Sequence, residues 1–229
     1  MSDSKLLLAI DTCGPTGSVA LGRWDGGAVE ILGQIELEGR HYSSTLVSAV
    51  GELLAQTKTH LSLLHAMVAV HGPGSFTGVR VGLAAIKGLA EAARIPVVAV
   101  SRLEVLAAKA DCQTAVLDAH RHEVYLRLAL TGEPIRELLA GAKELAEFVC
   151  GPSRVALCDE AAALLLASAC PDAELLRTEA PTAADALRFG APRVDAGEFA
   201  DLALLDGHYL RRSDAEIFGE PVAAPPESK

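Results

Sequence analysis

Apolar and polar stretches alternate along the chain in a pattern that predicts short strands and amphipathic helices. Continuous apolar runs of four or five residues are typical of strands buried on both faces, whereas apolar residues three or four apart are typical of helices. In the first half, strands are predicted at residues 6–10, 18–24, 28–37, 66–70 and 97–100. Helices are predicted at residues 43–56 and 77–93, with a third beginning near 101.

The second half repeats this plan. It predicts strands at residues 114–117, 122–130, 155–158 and 175–176, and helices at 142–149, 160–169 and 182–189. An aspartate follows the first strand in both halves, Asp11 and Asp118. The shared order of elements predicts an α/β fold of two ribonuclease-H-like (actin-like ATPase) lobes, each a mixed sheet with flanking helices.

The predicted lobes set the expected domain boundaries. We expect an N-terminal lobe at residues 1–100, which carries a glycine loop and two dimerisation helices, and a C-terminal lobe at 101–219. The helix near 182–190 is expected to pack back on the first lobe. Residues 220–229 contain three of the prolines and are expected to form a disordered tail.

A glycine-rich segment at residues 71–82 joins a predicted strand to a predicted helix. This arrangement suits phosphate, because glycines let backbone N–H groups approach an anion and the helix start carries partial positive charge. It is not a Walker A loop, since no Lys-Ser or Lys-Thr pair follows the glycines. An anion site and a tight structural turn both fit the pattern. The candidate nucleotide- or anion-binding residues are Asp11, Thr12, Gly72, Gly74, Ser75 and Thr77.

The helix at residues 77–93 has two apolar faces. One is bulky, and the other is a row of small residues that lets a second helix approach closely. This row predicts contact with the helix at 43–56, with another subunit, or with both. The candidate partner-interface residues are Leu46, Val50, Leu53, Val81, Ala85 and Gly88. Ordinary packing inside the chain is the alternative role for each of them.

Composition limits the possible partners and compartment. The chain of 229 residues is half hydrophobic and acidic, with 30 Asp plus Glu against 20 Lys plus Arg, so its surface is poorly suited to hold a nucleic acid backbone alone. The five cysteines are odd in number and contain no Cys-x-x-Cys pair, which indicates reduced thiols without a zinc site. We read no signal peptide and no membrane span, and we expect a cytoplasmic protein.

Several motifs together resemble the TsaB (YeaZ) family of the actin-like, sugar-kinase and Hsp70 ATPase superfamily. The most specific is the glycine segment at 72–82, and the segments at 10–12, 18–21, 41–43, 118–125 and 209–211 support it. Two positions depart from the family pattern, because His120 stands where an arginine is usual and Gly207 where a proline is common. The resemblance covers roughly residues 5–213.

The resemblance implies a role in tRNA modification. Members of the family work with the catalytic paralogue TsaD and the ATPase TsaE to install N6-threonylcarbamoyl on adenosine 37 of tRNA. TsaD binds a metal through two histidines four residues apart, and here His41 is followed at that spacing by Thr45, so we expect no metal site. The same loss counts against a glycoprotease.

We therefore expect a non-catalytic scaffold with no catalytic residues and no required cofactor, although ATP or ADP can bind at the complex interface. The expected partners are a TsaD-like paralogue, a TsaE-like ATPase, a second copy of the chain when alone, and tRNA indirectly. The alternative is a small phosphotransferase or ATPase that uses Asp11 or Asp118 as a base or metal-water anchor.

Overall fold

Two five-stranded sheets form the centres of two lobes, as the repeated sequence pattern predicts. The structure, a computed structural model, describes residues 4–38, 41–130, 132–149 and 151–211. The predicted tail at 220–229 lies outside these residues. The first lobe contains β1 (Lys5–Asp11), β2 (Thr16–Trp24), β3 (Val29–Glu38), β4 (Ala66–Val70) and β5 (Val97–Val100). The second contains β6 (Thr114–Asp118), β7 (Val124–Leu128), β8 (Arg136–Ala140), β9 (Arg154–Leu157) and β10 (Glu174–Arg177).

The two sheets have the same topology. The first has the order β3-β2-β1-β4-β5, and the second has the corresponding order β8-β7-β6-β9-β10. In each, the first three strands along the chain are antiparallel neighbours and the last two add in parallel. The expected α/β fold with two mixed sheets is confirmed. Because parallel strands place their carboxyl ends at one edge of the sheet, loops that follow β1 and β4 meet there.

Within the described residues, six α-helices flank the sheets. They are α1 (Tyr42–Gln56), α2 (Phe76–Ala93), α3 (Arg102–Lys109), α4 (Ala142–Phe148), α5 (Glu160–Ala169) and α6 (Ala183–Asp195). Ser75 begins α2, since its side chain accepts a hydrogen bond from the backbone N–H of Gly78. Ser101 and Glu104 begin α3 with a capping box. The Ser101 hydroxyl accepts a hydrogen bond from the backbone N–H of Leu103, and the Glu104 carboxylate accepts one from the backbone N–H of Ser101.

Helix α6 packs on the sheet of the first lobe, although it follows the second lobe in sequence. The Ala183 N–H donates to the Ser18 hydroxyl at 2.8 Å, and the Trp24 indole N–H donates to Asp195 at 2.7 Å. Gly190 lies so close to Val68 that a Cβ there would be 2.9 Å from a methyl carbon of the valine. The core of the first lobe therefore includes a helix from the C-terminal part of the chain.

Two elements differ from the sequence prediction. Strand β8 was not predicted, because its sequence begins with two charged residues and it lies at the edge of its sheet, where the apolar pattern is weak. Helix α6 was predicted to end near 189 but continues to Asp195 through Pro192. The helix ends only one turn after the proline.

Candidate functional site

The turn after β1 packs directly against the glycine-rich loop that precedes α2. The Ser75 backbone N–H donates to the Cys13 carbonyl at 2.8 Å, and the Thr12 hydroxyl donates to the Gly78 carbonyl at 2.7 Å. A Cβ at Gly74 would overlap the Cys13 carbonyl oxygen, and one at Gly78 would overlap that of Thr12. These glycines are needed because two backbone segments touch.

Asp11, the last residue of β1, is buried beside a cation from α3. Its carboxylate accepts the Cys13 N–H at 2.8 Å, and Nε of Arg102 lies 3.4 Å from its other oxygen. Burial is the largest influence on the pKa of Arg102 and lowers it, but the attraction and hydrogen bond of Asp11, together with smaller contributions from Cys13 and Cys158, outweigh burial and raise that pKa. Because Asp11 is only 1% exposed, it offers no accessible oxygen to a metal-bound water or a substrate proton.

Two other acidic groups near Asp11 stay protonated at neutral pH. Burial, with the Asp11 charge nearby, raises the pKa of the Cys13 thiol well above its usual range. Burial and the same carboxylate raise the pKa of Tyr42 to about 12, and its hydroxyl donates to the Gly14 carbonyl at 2.8 Å. Cys13 therefore lacks the thiolate character and the exposure of a nucleophilic cysteine.

The six predicted anion-binding residues lie together, but most of them are covered. Those that are buried or half-buried are Asp11, Thr12, Gly72 and Gly74; Ser75 and Thr77 are exposed. The Ser75 hydroxyl already accepts the Gly78 N–H at 3.3 Å. The packing of the two turns accounts for the glycines, and nucleotide binding at this loop stays a prediction.

The six predicted interface residues divide into two groups. Leu46, Val50 and Leu53 are at most 3% exposed and belong to the core of the first lobe. Their assignment to a surface contact is corrected, because the face of α1 that carries them packs inside the chain. The face of α2 with Val81, Ala85 and Gly88 is more open, since Val81 and Ala85 are half-buried and Gly88 has no neighbouring atom that a Cβ would meet.

The side of α1 opposite Leu46, Val50 and Leu53 carries residues that are exposed to solvent. Val47 is 63% exposed, and a Cβ at Gly51 would meet nothing within 4 Å. Ser44, Ser48 and Ala55 continue this side at helical spacing and are also exposed. Together with Val81, Ala84, Ala85, Gly88 and Ala92 of α2, these five residues form a surface of small side chains that we call the α1–α2 face.

A polar cleft separates the two lobes. Its volume is about 400 Å³, and it is lined by His71, Ser101, Glu104, Arg127, Ile135, Glu137 and His208. Three groups contact the Glu137 carboxylate: the Ser101 hydroxyl at 2.6 Å, the His208 imidazole at 2.9 Å and the Arg127 guanidinium at 3.0 Å. Burial raises the pKa of Glu137, but these contacts outweigh burial and lower it.

Neither Glu137 nor His208 carries a local sequence pattern that predicts a site. Glu137 belongs to β8, which was not predicted, and its partner His208 lies 71 residues further along the chain. The only local signal was Ser101 followed three residues later by Glu104, which is the sequence of a capping box and marks the start of α3 beside the cleft.

The described residues contain neither a metal-binding cluster nor a membrane-spanning helix. Across residues 4–38, 41–130, 132–149 and 151–211, no three His, Cys, Asp or Glu side chains are grouped so that they could hold a metal ion. Thr45 stands four residues after His41, where a metal-binding pair would have its second histidine, and its hydroxyl donates to the His41 carbonyl at 2.9 Å. In the same part of the chain, no helix combines the length and apolarity required to span a bilayer.

Comparison with known proteins places this geometry in a family. The family model described as TsaD, tRNA N6-adenosine threonylcarbamoyltransferase, matches residues 31–147. The tRNA threonylcarbamoyladenosine biosynthesis protein TsaB of Escherichia coli strain K12 is 37% identical over 125 residues, 52% of each chain. The TsaB protein of Haemophilus influenzae is 34% identical over 158 residues, 65% of each chain. The matched segments thus span about half to two thirds of these curated relatives.

Solved structures agree over a longer part of the chain. YeaZ from Pseudomonas aeruginosa has a TM-score of 0.67 at 26% identity and covers 90% of this chain and 100% of its own. A second crystal structure, described as an uncharacterized protein with similarity to peptidase YEAZ from Pseudomonas aeruginosa, has a TM-score of 0.72 at 27% identity with the same coverage. The sequence relatives, the matching family model and the shared two-lobed fold together show that the chain belongs to the TsaB (YeaZ) family.

Proposed function

We propose that this chain is a non-catalytic scaffold subunit of the complex that installs N6-threonylcarbamoyl groups on adenosine 37 of tRNA. In this role it dimerises with a TsaD-like catalytic paralogue and works with a TsaE-like ATPase. The observation that carries the proposal is the α1–α2 face, an open surface of small residues on two neighbouring helices. No cofactor is required for the role, and ATP or ADP can bind at the interface of the complex.

The α1–α2 face suits helix-to-helix contact. Gly51 and Gly88 have open space where a Cβ would lie, so a partner helix can approach the backbone of either helix closely. Val47 supplies an exposed apolar side chain at the centre of the α1 part. Close approach of backbones with an apolar contact between them is the geometry of packed helix pairs.

A TsaD-like paralogue is the occupant that we assign to this face. The TsaD family model matches residues 31–147, which include both α1 and α2. A paralogue with the same two helices can therefore present an equivalent face, and the two chains can pair about a pseudo-two-fold axis. In the absence of the paralogue, a second copy of this chain would use the same face.

The two reactive groups that follow β1, Asp11 and Cys13, are poorly placed for catalysis. Asp11, the position at which a related ATPase would use a carboxylate, is buried against Arg102. Cys13 is buried with a raised pKa. These features support a role in which the lobe positions a partner and leaves the transfer chemistry to that partner.

Reconstitution tests the proposal. TsaD, TsaE, the threonylcarbamoyl-adenylate synthase, tRNA, threonine, bicarbonate and ATP are combined with and without this chain, and modified adenosine is counted by mass spectrometry. We expect modification to depend on the chain and to be lost with Gly88→Trp, which adds a large side chain to the α1–α2 face at a position where a Cβ meets no atom within 4 Å.

The matched control is Leu164→Trp. Leu164 is 65% exposed on α5 of the second lobe, so this variant adds the same side chain away from the α1–α2 face. Size-exclusion chromatography with TsaD should show a complex for Leu164→Trp and none for Gly88→Trp. Equal behaviour of the two variants, or modification without the chain, contradicts the proposal.

The alternative function, a small phosphotransferase or ATPase, has a separate test. It requires ATP hydrolysis by the isolated chain that disappears in Asp11→Asn or Asp118→Asn. Asp118 is the more accessible of the two, and one of its oxygens accepts the His120 N–H at 2.8 Å. Hydrolysis that persists in both variants, or none in the unaltered chain, leaves the scaffold role as the better account.

A further inference from the structure

An aromatic and cationic cluster lies on the surface at the start of α2. The Arg80 guanidinium stacks 3.7 Å above the centroid of the Phe76 ring, and its Nε donates to the Tyr209 hydroxyl at 3.3 Å. The two aromatic rings lie 5.0 Å apart, centroid to centroid. Phe76 is 38% exposed and Tyr209 is 37% exposed, so part of each ring faces solvent.

Arg80 has no acidic partner in the described part of the chain. Most arginines there, such as Arg23, Arg177 and Arg193, have a carboxylate within 4.0 Å, and Arg80 has none. An exposed cation with no counter-ion among the residues that the structure describes is notable on a chain with a formal net charge of −10. Its planar group is held in place by rings and is therefore pre-organised for an anion.

A second basic element belongs to the other lobe. The turn between β6 and β7 contains His120, Arg121 and His122, which are all exposed and have φ values of 59°, 55° and 60°. Three successive residues in the left-handed region are rare for side chains other than glycine. Arg211 donates to the His120 carbonyl at 3.3 Å, and it also pairs with Glu123.

The segment at 209–211 connects these two elements. Tyr209 contacts the α2 cluster and Arg211, two residues later, contacts the turn of the second lobe. The result is one continuous surface, which we call the aromatic–cationic ribbon: Phe76, Arg80, His120, Arg121, His122, Tyr209 and Arg211. Two carboxylates border the ribbon: Asp118 contacts His120, and Glu123 pairs with Arg211.

We infer that the aromatic–cationic ribbon binds a single-stranded stretch of RNA. Single strands are held by cations along the phosphates and by aromatic rings on which unpaired bases stack, and the ribbon supplies both. The choice of RNA among anionic polymers rests on the proposed function. Through this contact the chain, although acidic overall, would itself bind RNA alongside the partner subunits of the proposed complex.

Fluorescence anisotropy of labelled dodecauridylate with the full chain, at about 50 mM NaCl, tests the inference. We expect saturable binding that Arg80→Gln weakens about fivefold, with a salt dependence whose log–log slope falls by about 0.7, the value for one lost contact to single-strand phosphate. Tyr209→Leu should weaken binding by a similar factor, and Tyr209→Phe should retain most of it because the ring remains.

Arg94→Gln is the matched control. Arg94 follows the last turn of the same helix, is exposed, and lies about 20 Å from Arg80 along the helix axis. Its replacement removes the same charge and should leave the affinity unchanged. Trp24 fluorescence and circular dichroism establish that each variant is folded.

Three results overturn the inference. They are the absence of binding to the folded chain, an equal loss in Arg94→Gln and Arg80→Gln, and equally effective competition by a glutamate peptide of matched charge, which has no bases to stack. None of these results bears on the α1–α2 face, so the proposed scaffold role and the ribbon can fail independently.

Discussion

Arg102 and Asp11 are 91 residues apart in sequence, yet the Arg102 Nε lies 3.4 Å from the Asp11 carboxylate in the interior of the protein. Arg102 is the first residue of α3, which leads from the first sheet into the second lobe. The ion pair therefore fastens the connection between the lobes to the turn that packs on the glycine loop. Because both side chains of the pair are buried, replacing only one of them leaves the other charge buried without a partner.

Removing one member of this pair should strongly destabilise the fold. Asp11→Leu leaves a buried guanidinium without its anion, and we expect a loss of about 3–5 kcal/mol in the free energy of unfolding. The double variant Asp11→Leu with Arg102→Met should recover most of that loss, because neither charge remains buried. Urea unfolding measures both. Arg23→Met, which breaks an exposed pair with Glu30, is the control and should cost less than about 1 kcal/mol.

Glycines on α2 should respond in opposite directions to alanine. At Gly78 a Cβ would overlap the Thr12 carbonyl, so Gly78→Ala should separate the two turns and destabilise the chain by about 3 kcal/mol. At Gly88 the space is open, and Gly88→Ala should stabilise α2 by about 0.5–1 kcal/mol. Thermal unfolding compares the two. A stable Gly78→Ala variant would show that the turns are loosely packed.

Acidification should weaken the fold partly through His71. Burial and the neighbouring His208 lower the pKa of His71 below its ordinary value of 6.5. The unfolded chain therefore takes up a proton that the folded chain refuses, so this stabilising contribution is present above pH 6.5 and is lost as the pH falls through the folded-state pKa. His71→Gln should reduce the change in urea midpoint between about pH 7.5 and 5.5. The exposed His122→Gln should not, and equal slopes in all three proteins contradict the assignment.

The contact between α6 and the first sheet offers a fluorescence test. Gly190→Val should push α6 away from Val68 and cost roughly 1–3 kcal/mol. Trp24 is the single tryptophan and donates to Asp195 at the end of α6, so its emission should shift to the red when the helix moves. Gly51→Val, at an open position on α1, is the control for introducing valine into a helix. An unshifted spectrum in Gly190→Val argues against the tight contact.

The lobes could be predicted from sequence because their strands are continuous apolar runs and their helices have clear periodicity. Strand β8 could not, since an edge strand buries only part of its surface and Arg136 and Glu137 mask the pattern. Periodicity also could not tell which apolar faces pack inside the chain. The predicted interface included both the buried Leu46 and the open Gly88. Only the packing of α1 and α2 on the sheet shows that Leu46 faces the core and Gly88 does not.

The chemistry of the site was harder to predict than its location. The segment around Asp11 and the glycine loop were expected to lie together, and they do. The Arg102 counter-ion was not expected, because no local pattern links residues so far apart. Contacts such as His208 with Glu137 depend on the arrangement of both lobes, which a single sequence does not give.

The position of α6 has a consequence for synthesis of the protein. The face of the first sheet that receives Leu187 and Gly190 is apolar and belongs to strands that precede α6 in the chain. Its covering helix ends only at Asp195. During synthesis the first lobe therefore exposes an apolar face until α6 has also left the ribosome, and such a face favours aggregation for that interval.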